Sequence, residues 1–224
     1  MNNSYNELRI LIAEKNRREH ECRKYLCQAK HILVPEAVVE FCYLEKEYRT
    51  HTGDSDYVIS AKVILKTSVE RVRAYVWELK APQCSIFEKD TMARLRPSKY
   101  LIDAENKLIH YYDELKGSDR SRSDFKVIHP DDIRIGGIII GKESKWVSGI
   151  TDESQARKLK DQTLRIREKY RYDSQEIKII TWDRILRNLL ELEGPIGPQV
   201  HEGSMGVTAM PTGSTMPFDY KASK

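Results

Sequence analysis

Gly53-Asp54-Ser55-Asp56-Tyr57-Val58-Ile59 opens one half of a stretch whose other half reads Arg73-Ala74-Tyr75-Val76-Trp77-Glu78-Leu79-Lys80-Ala81-Pro82. Both halves are rich in β-branched and aromatic residues, and the polar residues from Lys66 to Glu70 part them. The pattern predicts a hairpin with an acid at the mouth of each strand. Side chains alternate between faces along a strand, so Glu78 and Lys80 share one face and Leu79 points the other way. A strand ending on an acid and a lysine that point together, beside one that begins on an acid, can hold a divalent cation next to a positioned water. Which acid faces in depends on register: a slip of one position turns Ser55 inward, and a slip of two brings in Asp54 in place of Asp56.

Asp56 followed by Glu78-Leu79-Lys80 resembles the Asp...Glu-x-Lys signature of the PD-(D/E)XK nuclease superfamily. Trp77 to Pro82, with Ile138-Ile139-Ile140-Gly141-Lys142 and Ile179-Ile180-Thr181-Trp182-Asp183-Arg184-Ile185-Leu186 downstream, is similar in order and spacing to the Shedu family of antiphage immune nucleases. The likeness extends from Glu36 to Leu190. Lys142 stands where an arginine is more usual, and Glu105-Asn106-Lys107 where a glutamine-bearing helix is usual. The resemblance implies an α/β fold of the restriction-endonuclease-like kind, with a mixed central sheet flanked by helices and an N-terminal helix. It also implies DNA as substrate, a homo-oligomer and a role in defence against phage.

Phosphodiester hydrolysis needs charge neutralisation on the non-bridging oxygens and a nucleophile made from water, both of which a divalent metal supplies. Hard oxygen ligands select Mg²⁺ or Mn²⁺ over zinc. Asp56 and Glu78 are therefore the expected ligands, with Leu79 between them and Lys80 in the metal set, and Lys80 orients or deprotonates the water and offsets developing charge. The plain rival is a surface salt bridge between Glu78 and Lys80 on an edge strand, for which Tyr75-Val76-Trp77 is too apolar. Two other readings stand beside the nuclease: a catalytically silent nucleic-acid-binding or regulatory module with the same fold, and an oligomerisation protein built on the first helix.

Before the hairpin, residues 5–31 carry Leu8, Leu11, Ile12, Cys22, Leu26 and Ala29 among many charges, which predicts one long helix with a thin apolar stripe that packs on the domain or on another subunit. His20, Cys22, Cys27 and His31 match no usual zinc-finger spacing and read as helix surface and core. After Val34-Pro35, a spacing near 100° per residue groups Ala37, Val38, Phe41, Leu44 and Tyr48 on one arc opposite Glu36, Glu40 and Glu47. This predicts a second helix, with Pro35 in its first turn. Glu45 falls inside the apolar arc, where an acid is costly without a cation or donor. It is the candidate for the extra helix carboxylate this superfamily often adds, with Glu47 as substitute.

After the hairpin, residues 98–116 predict a helix whose broad arc of Leu101, Ile102, Ala104, Leu108, Ile109, Tyr112 and Leu115 includes Glu105, so that Glu105 faces the sheet. It either assists the site or pairs with a nearby cation. Arg94, Arg96 and Lys99 just before this helix, and Lys142 downstream, are candidate nucleic-acid contacts. Residues 117–126 read as a loop. Ile133 to Gly141 reads as a buried strand. A charged helix follows from Ser154 to Tyr170, then a short strand at Ile177 to Ile180 and a helix capped by Thr181 or Asp183 through Leu192.

The chain thus divides into an N-terminal helix (1–33), a nuclease-like domain (34–193) and, from residue 194, a flexible tail rich in Gly and Pro. At 224 residues and 26.1 kDa, one domain with appendages can bury a real core. Nothing reaches about 18 consecutive apolar residues, and the first residues lack the apolar stretch of a signal peptide, so a cytoplasmic protein without a membrane partner is expected. In that compartment the four cysteines stay reduced. A net charge of +4 permits a polyanionic partner without demanding one.

Overall fold

The computed structural model describes residues 3–16, 18–150, 152–167 and 177–192, and the tail lies outside them. In chain order the elements are α1 (Asn3–Ala13), α2 (Glu19–Arg23), β1 (Ala37–Arg49), β2 (Asp54–Ile64), β3 (Glu70–Leu79), β4 (Phe87–Lys89), β5 (Leu95–Pro97), α3 (Lys99–Gly117), α4 (Asp119–Phe125), β6 (Ile133–Ile139), α5 (Glu153–Arg167), β7 (Lys178–Ile180) and α6 (Trp182–Leu192). β2 and β3 form the predicted hairpin, with Tyr57 opposite Trp77 and Ile64 opposite Glu70. Five strands make a mixed sheet in the order β1-β2-β3-β6-β7, antiparallel across the first three and parallel from β3 to β7. The parallel step from β3 to β6 needs a long crossover, which α3 and α4 supply.

Two cores form, one on each face of this sheet. Val58, Val76, Ile138 and Ile140 pack against Leu101, Ala104, Leu108 and Leu115 of α3. Tyr57, Ile59, Tyr75, Trp77 and Leu79 pack on the opposite face against Trp182, Ile185 and Leu189 of α6 and against the N-terminal segment. That segment is not the single helix expected over 5–31. α1 stops at Ala13, α2 has five residues, and two 3₁₀ turns follow at Lys24–Cys27 and Lys30–Leu33. The break is held by Gln83, whose amide donates to the carbonyls of Leu11 (3.0 Å) and Glu14 (3.1 Å) and accepts from the Arg18 N–H at 3.4 Å. Lys142 donates to the Ile12 carbonyl at 3.1 Å. Folding back in this way buries Leu8, Ile12, Cys22, Leu26 and Leu33 in the chain's own core, a gain of about 1.5–3 kcal/mol for each large apolar side chain. One compact unit extends over Met1–Gly194.

Residues 37–49 are a strand, not the expected helix. Two one-residue bulges explain the misleading spacing: pairing passes from Val38 with Val63 to Glu40 with Lys62, and from Phe41 with Ala61 to Tyr43 with Ser60. Each bulge shifts the period-two alternation by one residue. Val38, Phe41 and Leu44 consequently meet the same core at intervals of three, which imitates a helical stripe. Residues 117–126 are not a loop, since Ser118 accepts the Ser121 N–H at 3.2 Å and caps α4. Lys126 ends that helix in the left-handed region, and Phe125 packs on Tyr43 and Tyr48. In α3 the predicted arc is narrower than expected, because Ile102 and Ile109 face solvent.

One contact across the second core couples distant segments. The Trp77 indole donates to the Leu33 carbonyl at 3.2 Å, and it lies over Gly136 of β6 so closely that any Cβ there would collide with the ring.

Candidate active site

The hairpin register sets the first two side chains. Extending the pairing one step beyond Tyr57 and Trp77 places Asp56 opposite Glu78, on the α3 face. The strands part there, and the Asp56 carboxylate takes over from the main chain by accepting the Leu79 N–H at 2.9 Å. Asp54 lies two residues farther out on β2, exposed and opposite Arg49 of β1. Lys80 follows on the same face as Glu78. Its backbone is pinned from both sides, with its N–H bonded to the Ile139 carbonyl at 2.8 Å and its carbonyl accepting the buried Trp182 indole N–H at 2.7 Å.

The Lys80 ammonium bonds one oxygen of Glu78, Oε1, and also the Leu79 carbonyl at 3.0 Å. The second Glu78 oxygen, Oε2, is buried and has no hydrogen-bond partner among the described residues. Burial, and then the charge of Asp56, pushes the Glu78 carboxyl up to about 8 against the pull of Lys80. Burial opposes the Lys80 ammonium, but Glu78 and Asp56 outweigh it and hold its pKa above the ordinary lysine value. In this arrangement Lys80 donates to Glu78 and to the Leu79 carbonyl.

Further members come from outside the hairpin. Glu19 of α2 lines a pocket of ≈ 620 Å³ together with Lys80, Lys99, Tyr100 and Lys107. Burial, and then Asp56, raises its pKa. Lys107 of α3 stands 3.9 Å from Glu78 Oε1. Arg23 of α2 bonds Glu47 and lies 3.6 Å from Asp56 Oδ1. Tyr111 of α3 has its pKa raised by burial and then by Glu78 and Asp56. Nothing local marks Glu19 or Arg23 in the sequence. They lie in a run of charges, Glu19-His20-Glu21-Cys22-Arg23, and only the tertiary fold carries them to a site more than thirty residues downstream.

The other expected residues are distributed as follows. Glu45 stands on β1 opposite Val58, so the helix carboxylate assigned to it does not exist as such; its side chain lies outside the described residues. Glu47 adopts φ +66 and is paired with Arg23. Glu105 is buried on the sheet side of α3, as its wheel position predicts. Arg94 and Arg96 sit on the β4–β5 hairpin, exposed, each bonded to a neighbouring acid, Asp90 and Glu88 respectively. Lys99 lines the pocket, and Lys142 is engaged at the end of α1. His20 is exposed, Cys22 is in the core with its thiol pushed up to about 12 by burial, and His31 packs edge-on against Phe41.

These residues suit a hard divalent cation. Mg²⁺ is ordinarily held by one or two carboxylates and keeps several waters. Asp56, Glu78 and the Leu79 carbonyl are the groups that could supply such donors, and Glu78 Oε2 has no hydrogen-bond partner among the described residues. Among the described residues no three His, Cys, Asp or Glu side chains are placed to share a metal, so a divalent cation here would have two carboxylates at most. No helix among them is long and apolar enough to cross a membrane. Compared with family models, curated proteins and solved structures, the chain matches none.

Proposed function

We propose that the chain is a divalent-metal-dependent nuclease that hydrolyses DNA phosphodiester bonds at Asp56, Glu78 and Lys80. The observation that carries this reading is the buried Glu78 oxygen without a partner, opposite Asp56 and on the face of Lys80. Burying a carboxylate oxygen unbonded is expensive, and its retention beside a second acid is what a cation site requires. Mg²⁺ or Mn²⁺ bound there would supply Lewis acidity and a more acidic water. Asp56, Glu78 and the Leu79 carbonyl would hold it with water in the remaining positions, and Glu19 lines the pocket beside Lys80 without joining that ligand set. Lys80 orients the attacking water and offsets charge on the phosphate, while Lys99 and Lys107 line the approach with positive charge. The order of Trp77–Pro82, Ile138–Lys142 and Ile179–Leu186 supports the finer reading of a Shedu-like homo-oligomer in antiphage defence.

One observation favours the second reading, a catalytically silent DNA-binding module with this fold. The Lys80 ammonium already sits on Glu78 and the Leu79 carbonyl, where a cation would bind. Incubation with supercoiled and linear DNA in Mg²⁺, Mn²⁺ or EDTA separates the two. Cleavage that needs metal and disappears in Lys80→Ala supports the nuclease. Metal-independent DNA binding with no cleavage by the parent supports the silent module.

A further inference from the structure

Arg23 has no part in the chemistry proposed above, yet its placement is unusual. Its side chain is only 7% exposed, held on α2 between Cys22 and the buried Tyr25 and Leu26. Its guanidinium bonds Glu47 on one side and stands 3.6 Å from Asp56 Oδ1 on the other, while its Nε is buried with no hydrogen-bond partner among the described residues. Taking a guanidinium out of water is costly unless its charge is compensated. Here the compensation is divided between a half-exposed carboxylate, Glu47, and one of the two acids assigned to the cation. The other Asp56 oxygen accepts the Leu79 N–H, so Oδ1 is the atom that Arg23 and a cation would contest.

We infer that Arg23 is a counter-ion built into the cation site, shared by Glu47 and Asp56 in the metal-free protein and drawn to Glu47 alone when a divalent cation reaches Asp56. The inference rests on the metal reading of the site. Its consequence is that the N-terminal segment sets the affinity of a site formed by the hairpin. α2 is anchored by Cys22, so the exchange needs only rotation of the Arg23 side chain. Arg23 is thus a positioning residue, acting through Asp56.

Calorimetric titration of the full chain with Mn²⁺ tests this without reference to cleavage. Removing a positive charge this close to the bound cation should tighten Mn²⁺ binding about tenfold in Arg23→Gln, whereas a purely structural role would leave it unchanged or weaken it. Glu47→Gln, at a half-exposed position, should weaken binding about threefold, because Arg23 then bears on Asp56 alone. A crystal structure of the parent soaked with Mn²⁺ supplies a readout free of any folding defect, and Arg23 should have left Asp56 while keeping Glu47. An Arg23→Gln protein that melts like the parent and binds Mn²⁺ no more tightly overturns the inference, as does Arg23 still on Asp56 beside a bound cation. Should neither parent nor Arg23→Gln bind Mn²⁺, the metal reading fails and takes this inference with it. Binding by the parent that Arg23→Gln leaves unaltered defeats the inference alone.

Discussion

The two ends of β3 both carry buried charge, and they treat it differently. At the start of the strand Glu36 accepts from the Arg73 guanidinium through one oxygen (2.6 Å) and from the Tyr75 hydroxyl through the other, while Arg71 and Arg73 both approach Asp132. Both oxygens of Glu36 are used. At the far end the acids face each other across the hairpin, and one Glu78 oxygen has no hydrogen bond among the described residues. The first cluster ties the start of β1 to β3 and the entry of β6 and gives each acid a cationic neighbour, although the Arg73 Nε has no hydrogen-bond partner among the described residues. The second sets two acids against each other with one carboxylate oxygen unbonded among the described residues, and this like-charge pairing is what the proposed cation would relieve.

If that contrast holds, damage at the far end should cost function and damage at the near end should cost stability. Lys80→Ala carries the largest expected effect, a loss of cleavage of about 10² to 10³-fold with melting unchanged, read from nicking of supercoiled DNA; a parent-like rate would remove Lys80 from the chemistry. Asp56→Asn and Glu78→Gln should lose Mn²⁺ binding by calorimetry. Glu36→Gln should lower stability by about 1–2 kcal/mol in denaturant unfolding, since it takes from Arg73 its closer acid and leaves it Asp132 alone, and leave Mn²⁺ affinity as it was. Tyr75→Phe should cost about 1 kcal/mol by the same measurement.

The pH behaviour sharpens the comparison further. Glu78 is raised from 4.5 to about 8 in the folded chain, so the folded state holds its proton where the unfolded state has lost it. In EDTA this group should make stability fall as pH rises between those two values. Glu78→Gln should flatten that part of the profile, and an equal slope in parent and variant would contradict the shift. The smallest effect is expected from removing residues 195–224, whose Gly- and Pro-rich composition buries little, and the melting temperature should not move.

The hairpin was legible because a strand's alternation is local: counting along β3 puts Glu78 and Lys80 on one face, whereas the choice between Asp54 and Asp56 hung on a register that only the folded pairing supplies. β6 and β7 were legible as short apolar runs, and α6 from its capping residues and apolar spacing. β1 was not, since its bulges convert period two into period three; the β-branched and aromatic run Val38-Val39, Phe41 and Tyr43 was the signal that favoured a strand. Misplacing β1 displaced the helix carboxylate to Glu45, whereas Glu19 lines the pocket from a segment whose break depends on a glutamine some seventy residues away. No periodicity within residues 5–31 encodes that contact.

Gly136 touches neither DNA nor metal in the proposed reading, yet it governs what the lineage of this chain is free to change. Alanine there would drive the Trp77 ring off the Leu33 carbonyl and loosen the segment that carries Glu19 and Arg23. The two positions are therefore coupled: a side chain at 136 requires a smaller one at 77, and that exchange gives up one of the contacts that hold the N-terminal segment. A hydrogen atom on a buried strand in this way sets which side chain position 77 can carry, and how firmly Leu33 is held.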